Sequence, residues 1–179
     1  MNKIIYSPGE PAGIGPDLII NLATTKTWEN LRIPIVTIGD PNLFLDRAKL
    51  LKKRVNIIEI KTIDEAESNT FGSIQIIKVL ECKSTSAGKL LKSNAKYVLD
   101  SLNYAIKETI VGKKTALVTG PLSKETIISI DKEFSGHTEY IQKITKSDDV
   151  LMMLASNQLK VALATTHIPL KKVAKNITK

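Results

Sequence analysis

The chain has 179 residues, of which 42% are hydrophobic and 25% charged, a globular composition that excludes fibrous and low-complexity classes. Cys82 is the only cysteine, no apolar run reaches the roughly 18 residues of a membrane span, and no signal peptide precedes the first strand, so we expect a cytoplasmic protein without disulfides or membrane contact. The net charge of +8 favours anionic partners, but the lysines are scattered without aromatic neighbours, which indicates a solvated surface rather than a nucleic-acid site.

Short apolar runs alternate with amphipathic segments up to about residue 145, which predicts an α/β fold with a largely parallel sheet flanked by helices. Proline in the first turn predicts two helix starts, at Pro16 with Asp17 beside it, and at Pro41 with Asp40 as N-cap. Strands are predicted at 3–6, 33–39, 55–60, 74–80 and 115–119, and helices from 41 to about 53, from 86 to about 110 and after Ser123.

The last part of the chain has a different pattern. Two short apolar runs, at 149–155 and 159–165, predict buried strands that form a hairpin and would make the sheet mixed. Residues 171–179 begin a helix that has neither a glycine cap nor a proline stop. We therefore expect residues 1–179 to form the N-terminal portion of a larger α/β subunit.

Polar groups follow the predicted strand 115–119, which ends at Gly-Pro and is followed by Ser123 and Lys124. The segment SGHTE at 135–139 then brings His137 and Thr138, and the other histidine, His167, follows the apolar run 159–165. The ends of parallel strands build ligand crevices in open α/β sheets, so these groups are the candidates for function. The alternative is that Gly-Pro is a plain turn, SGHTE a helix start and each histidine a structural residue.

Neither a metal site nor a dinucleotide site is complete in the sequence. A catalytic metal site usually takes three protein ligands, but the chain has two histidines and no cysteine pair, so further ligands would come from a carboxylate, a partner subunit or residues outside the chain. Gly13-Ile-Gly15 lacks the third glycine of a dinucleotide fingerprint, since Leu18 occupies its position. The cofactor-binding residues therefore stay unassigned.

Five motifs occur in the order and spacing of a known family: GEPAGIGP at 9–16, TGPLSK at 119–124, SGHTE at 135–139, MML at 152–154 and VALATTHIPL at 161–170. In these motifs the chain resembles the PdxA family, the 4-hydroxythreonine-4-phosphate dehydrogenases of pyridoxal phosphate biosynthesis. The resemblance implies a fold like that of the isocitrate and isopropylmalate dehydrogenases, incomplete at the C-terminus, and active sites shared across a homodimer.

The resemblance also implies a reaction and residue roles. The family oxidises the phosphorylated hydroxy amino acid with NAD(P) and releases CO2 to give 3-amino-2-oxopropyl phosphate. By this likeness His137 and Thr138 contact the phosphorylated substrate, and His167 is one of three histidine ligands of a divalent metal, Zn, Mg or Co. Lys124 is the candidate catalytic residue, although the family often has Asn or His where this chain has Ser123.

Other parts of the family pattern have no match here. Two metal-binding histidine segments and several phosphate-binding residues belong to a C-terminal half that this sequence lacks, so we expect weak metal binding and no dehydrogenase activity from the chain alone. The open alternatives are a paralogue acting on another phosphorylated hydroxy acid, a phosphate acyltransferase of related fold, and a non-catalytic remnant that serves as a dimerisation module.

Overall fold

A five-stranded sheet organises the fold in the computed structural model, which describes residues 2–83, 85–112, 114–166 and 168–177. The strands are β1 (Lys3–Ser7), β2 (Ile35–Ile38), β3 (Asn56–Glu59), β4 (Ser73–Ile77) and β5 (Thr115–Thr119). Their order is β3-β4-β2-β1-β5, and every adjacent pair is parallel. The predicted α/β class is therefore confirmed, with all five predicted strands in place.

The helices are α1 (Gly15–Ala23), α2 (Lys26–Asn30), α3 (Pro41–Leu50), α4 (Ala95–Val111), α5 (Lys124–Ile128), α6 (His137–Thr145) and α7 (Val173–Asn176). The two predicted proline starts are confirmed, since proline lies in the first turn of both α1 and α3. Asp40 caps α3 by accepting a hydrogen bond of 3.1 Å from the backbone N–H of Asn42.

Helices cover both faces of the sheet, because successive side chains of a strand point to opposite sides. Tyr6 of β1 packs with α1 and α3, whereas its neighbour Ile5 packs with Val36 of β2 and Ala105 of α4. Trp28 of α2 is buried, and its indole N–H is shared between two backbone carbonyls near the start of β4. Buried side chains therefore pack against both faces of the sheet at its centre.

The long helix begins nine residues later than predicted, at Ala95 instead of residue 86. Residues 86–89 form a tight turn in which Gly88 has a φ of +77° and donates its N–H to the carbonyl of Ala12 at 2.8 Å. The side chain of Asn94 then accepts a hydrogen bond from the N–H of Lys83. These contacts hold residues 85–94 outside the helix, so the predicted helix start at residue 86 is wrong.

The predicted hairpin forms, but outside the main sheet. Strands β6 (Met152–Ala155) and β7 (Lys160–Leu163) pair with each other in antiparallel register as a separate two-stranded sheet. The prediction that these strands are buried is wrong, since Met153 and Leu154 are more than half exposed. The main sheet is parallel and not mixed.

The described helices include none that is both long and apolar enough to cross a membrane.

Candidate active site at the carboxyl ends of β1 and β5

The loops after β1 and β5 meet at the same edge of the sheet, as parallel strands require. The N–H of Gly120 donates to the carbonyl of Ser7 at 2.7 Å, and the N–H of Glu10 donates to the carbonyl of Pro121 at 3.0 Å. Gly9 has a φ of +79°, and a Cβ at this position would lie 2.3 Å from the carbonyl oxygen of Pro121. Only glycine allows this approach, so the loops 8–14 and 120–123 are joined through their backbones.

A buried tyrosine of β1 forms a hydrogen bond to the end of the loop that follows this strand. The hydroxyl of Tyr6 donates to the carbonyl of Gly15 at 2.9 Å, and burial raises the pKa of Tyr6 to about 12, which keeps the hydroxyl protonated as a donor. A Cβ on Gly15 would lie 1.8 Å from the carbonyl oxygen of Pro8. A side chain at this position would clash with the loop, so the packing of the loop requires glycine here.

Arg47 of α3 binds the backbone of the same loop. Its buried guanidinium donates to the carbonyls of Pro11 at 2.7 Å and Gly13 at 3.2 Å, and it pairs with the carboxylate of Asp17 at 3.0 Å. Arg47 is not among the predicted site residues. A signal was present, because Arg47 lies four residues after the buried Leu43 and therefore on the apolar face of the helix.

Glu10 places a buried carboxyl group at this edge of the sheet. Its side chain is 4% exposed, Oε1 accepts the N–H of Ala12 at 3.1 Å, and Oε2 has no hydrogen-bond partner among the described residues. Burial raises the pKa of Glu10. Burial, together with the negative charges of Asp40 and Glu10, also raises the pKa of Cys82 to about 12. The thiol is thus protonated at neutral pH and is not a nucleophile.

The predicted site residues Lys124 and His137 begin two successive helices. Ser123 caps α5 by accepting the N–H of Thr126, so Lys124 is the first residue of that helix. The ammonium of Lys124 lies 3.6 Å from the point that a Cβ on Gly136, the N-cap of α6, would occupy. The structure therefore brings Lys124 to the start of α6. His137 is the first residue of α6 and follows a helix and a turn, so SGHTE is a helix start, as the alternative interpretation of this segment expected.

His137 is half-buried, and its pKa is lowered, first by burial and then by the positive charge of Lys124. The imidazole is therefore neutral at physiological pH and has one N–H donor and one acceptor nitrogen. Thr138 follows with an exposed side chain. The carboxylate of Glu139 also lies near the start of the helix, with Oε2 3.1 Å from the same point beside Gly136. Cation, imidazole, hydroxyl and carboxylate thus share one short stretch of surface.

The start of α6 is held in place by its buried side. Tyr140 donates its hydroxyl to the side-chain oxygen of Asn103 in α4 at 2.8 Å, and its ring lies 5.2 Å from that of Phe134. Because Gly136 offers no side chain as a cap, the first backbone N–H groups of α6 are available to a ligand. A positively charged side chain beside such a helix end suits an anionic group such as a phosphate.

His167, the predicted metal ligand, lies outside the described residues. Across the described ranges, no three His, Cys, Asp or Glu side chains lie close enough together to hold a metal ion. The metal site consequently stays a prediction, and so do the roles of His137 and Thr138 in substrate binding and of Lys124 in catalysis.

Similarity to known proteins assigns this chain to a family. The model of the pyridoxal phosphate biosynthetic protein PdxA matches residues 30–179. The chain belongs to the PdxA family. Two curated proteins named 4-hydroxythreonine-4-phosphate dehydrogenase align with nearly all of it. The protein of Pseudoalteromonas translucida is 42% identical over 176 residues, and that of Erwinia tasmaniensis is 38% identical over 177 residues.

A solved structure of the same name agrees with this PdxA assignment. The 4-hydroxythreonine-4-phosphate dehydrogenase of Klebsiella pneumoniae superposes with a TM-score of 0.86 at 26% identity, over 96% of this chain and 53% of that one. The alignments with the two curated relatives cover 98–99% of this chain and 52% of each relative. The chain therefore spans about half the length of the PdxA relatives that it matches, and its site residues lie within the shared part.

Proposed function

We propose that this chain forms part of a 4-hydroxythreonine-4-phosphate dehydrogenase, and that the surface at the start of α6 contributes to its substrate site. The observation that carries the proposal is the convergence of Lys124 with His137 and Thr138 in a member of the PdxA family. The reaction would be the NAD(P)-dependent oxidation of 4-phosphohydroxy-L-threonine, followed by loss of CO2 to give 3-amino-2-oxopropyl phosphate.

In this proposal each residue acts through its charge or its hydrogen bonds. The ammonium of Lys124 and the first N–H groups of α6 attract the anionic substrate, and Thr138 offers a hydroxyl. The neutral imidazole of His137 can donate to one substrate oxygen and accept a proton from a hydroxyl. Lys124 is thus assigned to binding the substrate in the first place, with proton transfer as a further candidate role.

The cofactors are proposed from the family and not from the described residues, which hold no cluster of three metal-ligating side chains. When bound, the nicotinamide would supply a hydride acceptor, and the divalent metal would supply a Lewis acid for the hydroxyl that is oxidised. We propose His167 as one metal ligand, with the remaining ligands in the half of the PdxA relatives that has no counterpart here. It follows that the chain alone binds metal weakly and forms no NADH.

Calorimetric titration of the 179-residue chain with 4-phosphohydroxy-L-threonine tests the substrate site. Lys124→Ala should weaken binding at least about tenfold, which corresponds to about 1.4 kcal/mol. Lys143→Ala is the matched control, because Lys143 is on α6 and its ammonium pairs with Glu133 at 2.7 Å. Equal losses from the two variants would contradict the assignment. A panel of phosphorylated hydroxy acids distinguishes a paralogue that acts on another substrate from a 4-hydroxythreonine-4-phosphate dehydrogenase. An acyltransferase would transfer an acyl group without forming NADH.

A homodimer is part of the same proposal, and the β6–β7 hairpin is the proposed contact. An isolated two-stranded hairpin is marginal in water, yet Met153, Leu154 and Leu159 are each more than half exposed here. Sedimentation equilibrium should show a dimer that Leu154→Glu dissociates. Leu50→Glu, at a 69% exposed position of α3, should leave the dimer intact. An unchanged dimer in Leu154→Glu would place the contact elsewhere.

A further inference from the structure

The ammonium of Lys124 lies beside the start of α6 without a carboxylate partner within ion-pair distance among the described residues. Its Cε and its Nζ each lie 3.6 Å from the point that a Cβ on Gly136 would occupy. A lysine side chain is a flexible stem, so in the absence of an ion pair its reach is set by the backbone from which it starts. The placement of this cation therefore depends on the first turn of α5.

That first turn is held by Ser123. Helix α5 has five residues, and so short a helix is not stable by itself. The carbonyl of Ser123 accepts the N–H of Ile127 at 3.2 Å, and its hydroxyl accepts the N–H of Thr126 at 3.3 Å. Thr126 is 2% exposed and Ile127 is completely buried. Without the hydroxyl, the N–H of Thr126 would lose its partner beside the core, which is costly.

The chain on either side of this turn is fixed in other ways. The carbonyl of Pro121 accepts the N–H of Glu10 at 3.0 Å, which ties the preceding loop to the loop after β1. Leu122 packs against the hydrophobic cluster that contains Ile127, as the residues before and inside a capped helix often do. Between these two fixed points, the hydroxyl of Ser123 is the side-chain group that holds the direction in which Lys124 leaves the backbone.

We propose that Ser123 is a positioning residue, whose hydroxyl caps α5 and thereby holds the ammonium of Lys124 at the start of α6. Ser123 acts through Lys124 and does not itself contact the substrate. The inference rests on the proposed function, because the start of α6 is the proposed substrate surface. The alternative is a purely structural cap, in which the packing of Leu122 and Ile127 alone places Lys124.

NMR titration of His137 in the 179-residue chain separates the two. The pKa of His137 is lowered by burial and then by the positive charge of Lys124, so it reports where that charge lies. His137→Gln identifies its signal, since the chain has two histidines. Ser123→Ala should raise the pKa of His137 towards its value in Lys124→Ala. Ser123→Asn keeps a capping side chain without adding a charge, and should restore the native value.

Thr25→Ala is the matched control, because the hydroxyl of Thr25 caps α2 by accepting the N–H of Trp28 at 3.4 Å. Loss of either cap should lower the urea midpoint, but only Ser123→Ala should change the pKa of His137. If Ser123→Ala does not fold, Ser123→Gly replaces it, because glycine suits the backbone of a cap and lacks the hydroxyl.

Calorimetric titration with 4-phosphohydroxy-L-threonine connects the cap to binding. Ser123→Ala should weaken binding about fivefold, which corresponds to the ~1 kcal/mol of a typical cap, and by less than Lys124→Ala does. Thr25→Ala should change binding less than about twofold. If the native chain does not bind this compound, the proposed function fails, and the titration of His137 still decides the role of Ser123.

Three results would overturn the positioning role. The first is a pKa of His137 that stays unchanged in Ser123→Ala while the urea midpoint falls, which would make the cap purely structural. The second is an equal change of this pKa in Ser123→Asn and Ser123→Ala. The third is an equal change in Thr25→Ala, which would show a general loosening of the chain.

Discussion

Removal of the Arg47 guanidinium should destabilise the chain and loosen the loop that borders the candidate site. Arg47→Met keeps most of the apolar stem but removes the donors to the carbonyls of Pro11 and Gly13 and the partner of Asp17. A hydrogen bond that involves a charged group contributes about 1.5–3 kcal/mol, and breaking a buried pair costs about 3–5 kcal/mol. Asp17 is 24% exposed and regains water, so we expect a loss of about 3 kcal/mol.

Urea unfolding measures this loss, and the same helix provides the control. Lys49→Met breaks the pair between Lys49 and Asp46, whose side chains are 77% and 74% exposed, and should cost less than about 1 kcal/mol. Amide exchange at Ala12 should accelerate in Arg47→Met only. If Arg47→Met does not fold, Arg47→Lys, which keeps the charge but not the paired donors, should still lose more than the control. Equal losses at both positions would refute the anchoring role.

Three further changes test the site. Lys124→Ala should raise the pKa of His137, because it removes the positive charge that disfavours the imidazolium, and an unchanged NMR titration would contradict the proximity of the two. The folded state holds the proton of Glu10 more tightly than the unfolded chain does, so the native chain should lose stability as pH rises from about 4.3 through the raised pKa. Glu10→Gln has no such proton and should not show this loss. Urea midpoints measured at about pH 4 and about pH 7 that change equally in the two proteins would contradict this prediction. Gly15→Ala should cost about 1–3 kcal/mol in urea unfolding, since its Cβ would meet a carbonyl oxygen at 1.8 Å, whereas Gly13→Ala, at 3.2 Å, should cost less.

The elements that the sequence predicts well are those with local causes. Apolar, β-branched runs predict the five strands of the sheet, and Asp40-Pro41 predicts both the cap and the first turn of α3. The order of the strands has no local cause, because it depends on which surfaces meet. The start of α4 is missed for a similar reason: the turn at Gly88 is held by the carbonyl of Ala12, far away in the sequence.

The same distinction applies to the candidate site. The end of β5 at Gly120-Pro121 and the motif around His137 are visible in the sequence, and they identify two of the segments that the structure brings together. The proximity of Lys124 to the start of α6 depends on how α5 and α6 pack against α4. Glu10 gives no signal in a loop that is rich in proline and glycine, because its burial is created by the surrounding segments.

The exposed hairpin shows the limit of reading burial from composition. The apolar runs at 149–155 and 159–165 predict buried strands, but a strand is buried only if another element covers it. Here the two strands pair with apolar side chains exposed, and Val118 of β5 is exposed as well. Apolar sequence indicates that a surface will be covered, and the partner that covers it need not belong to the same chain.

Formation of NADH from 4-phosphohydroxy-L-threonine tests the central proposal most directly, namely that this chain provides the Lys124–His137 part of a PdxA substrate site whose remaining metal ligands lie in the half of the relatives that has no counterpart in these 179 residues. With NAD(P) and a divalent metal, we expect no NADH from the 179-residue chain alone, and NADH once the complementary half of a PdxA relative is bound. NADH formation by the chain alone, or none from a complex that has demonstrably formed, would contradict the account.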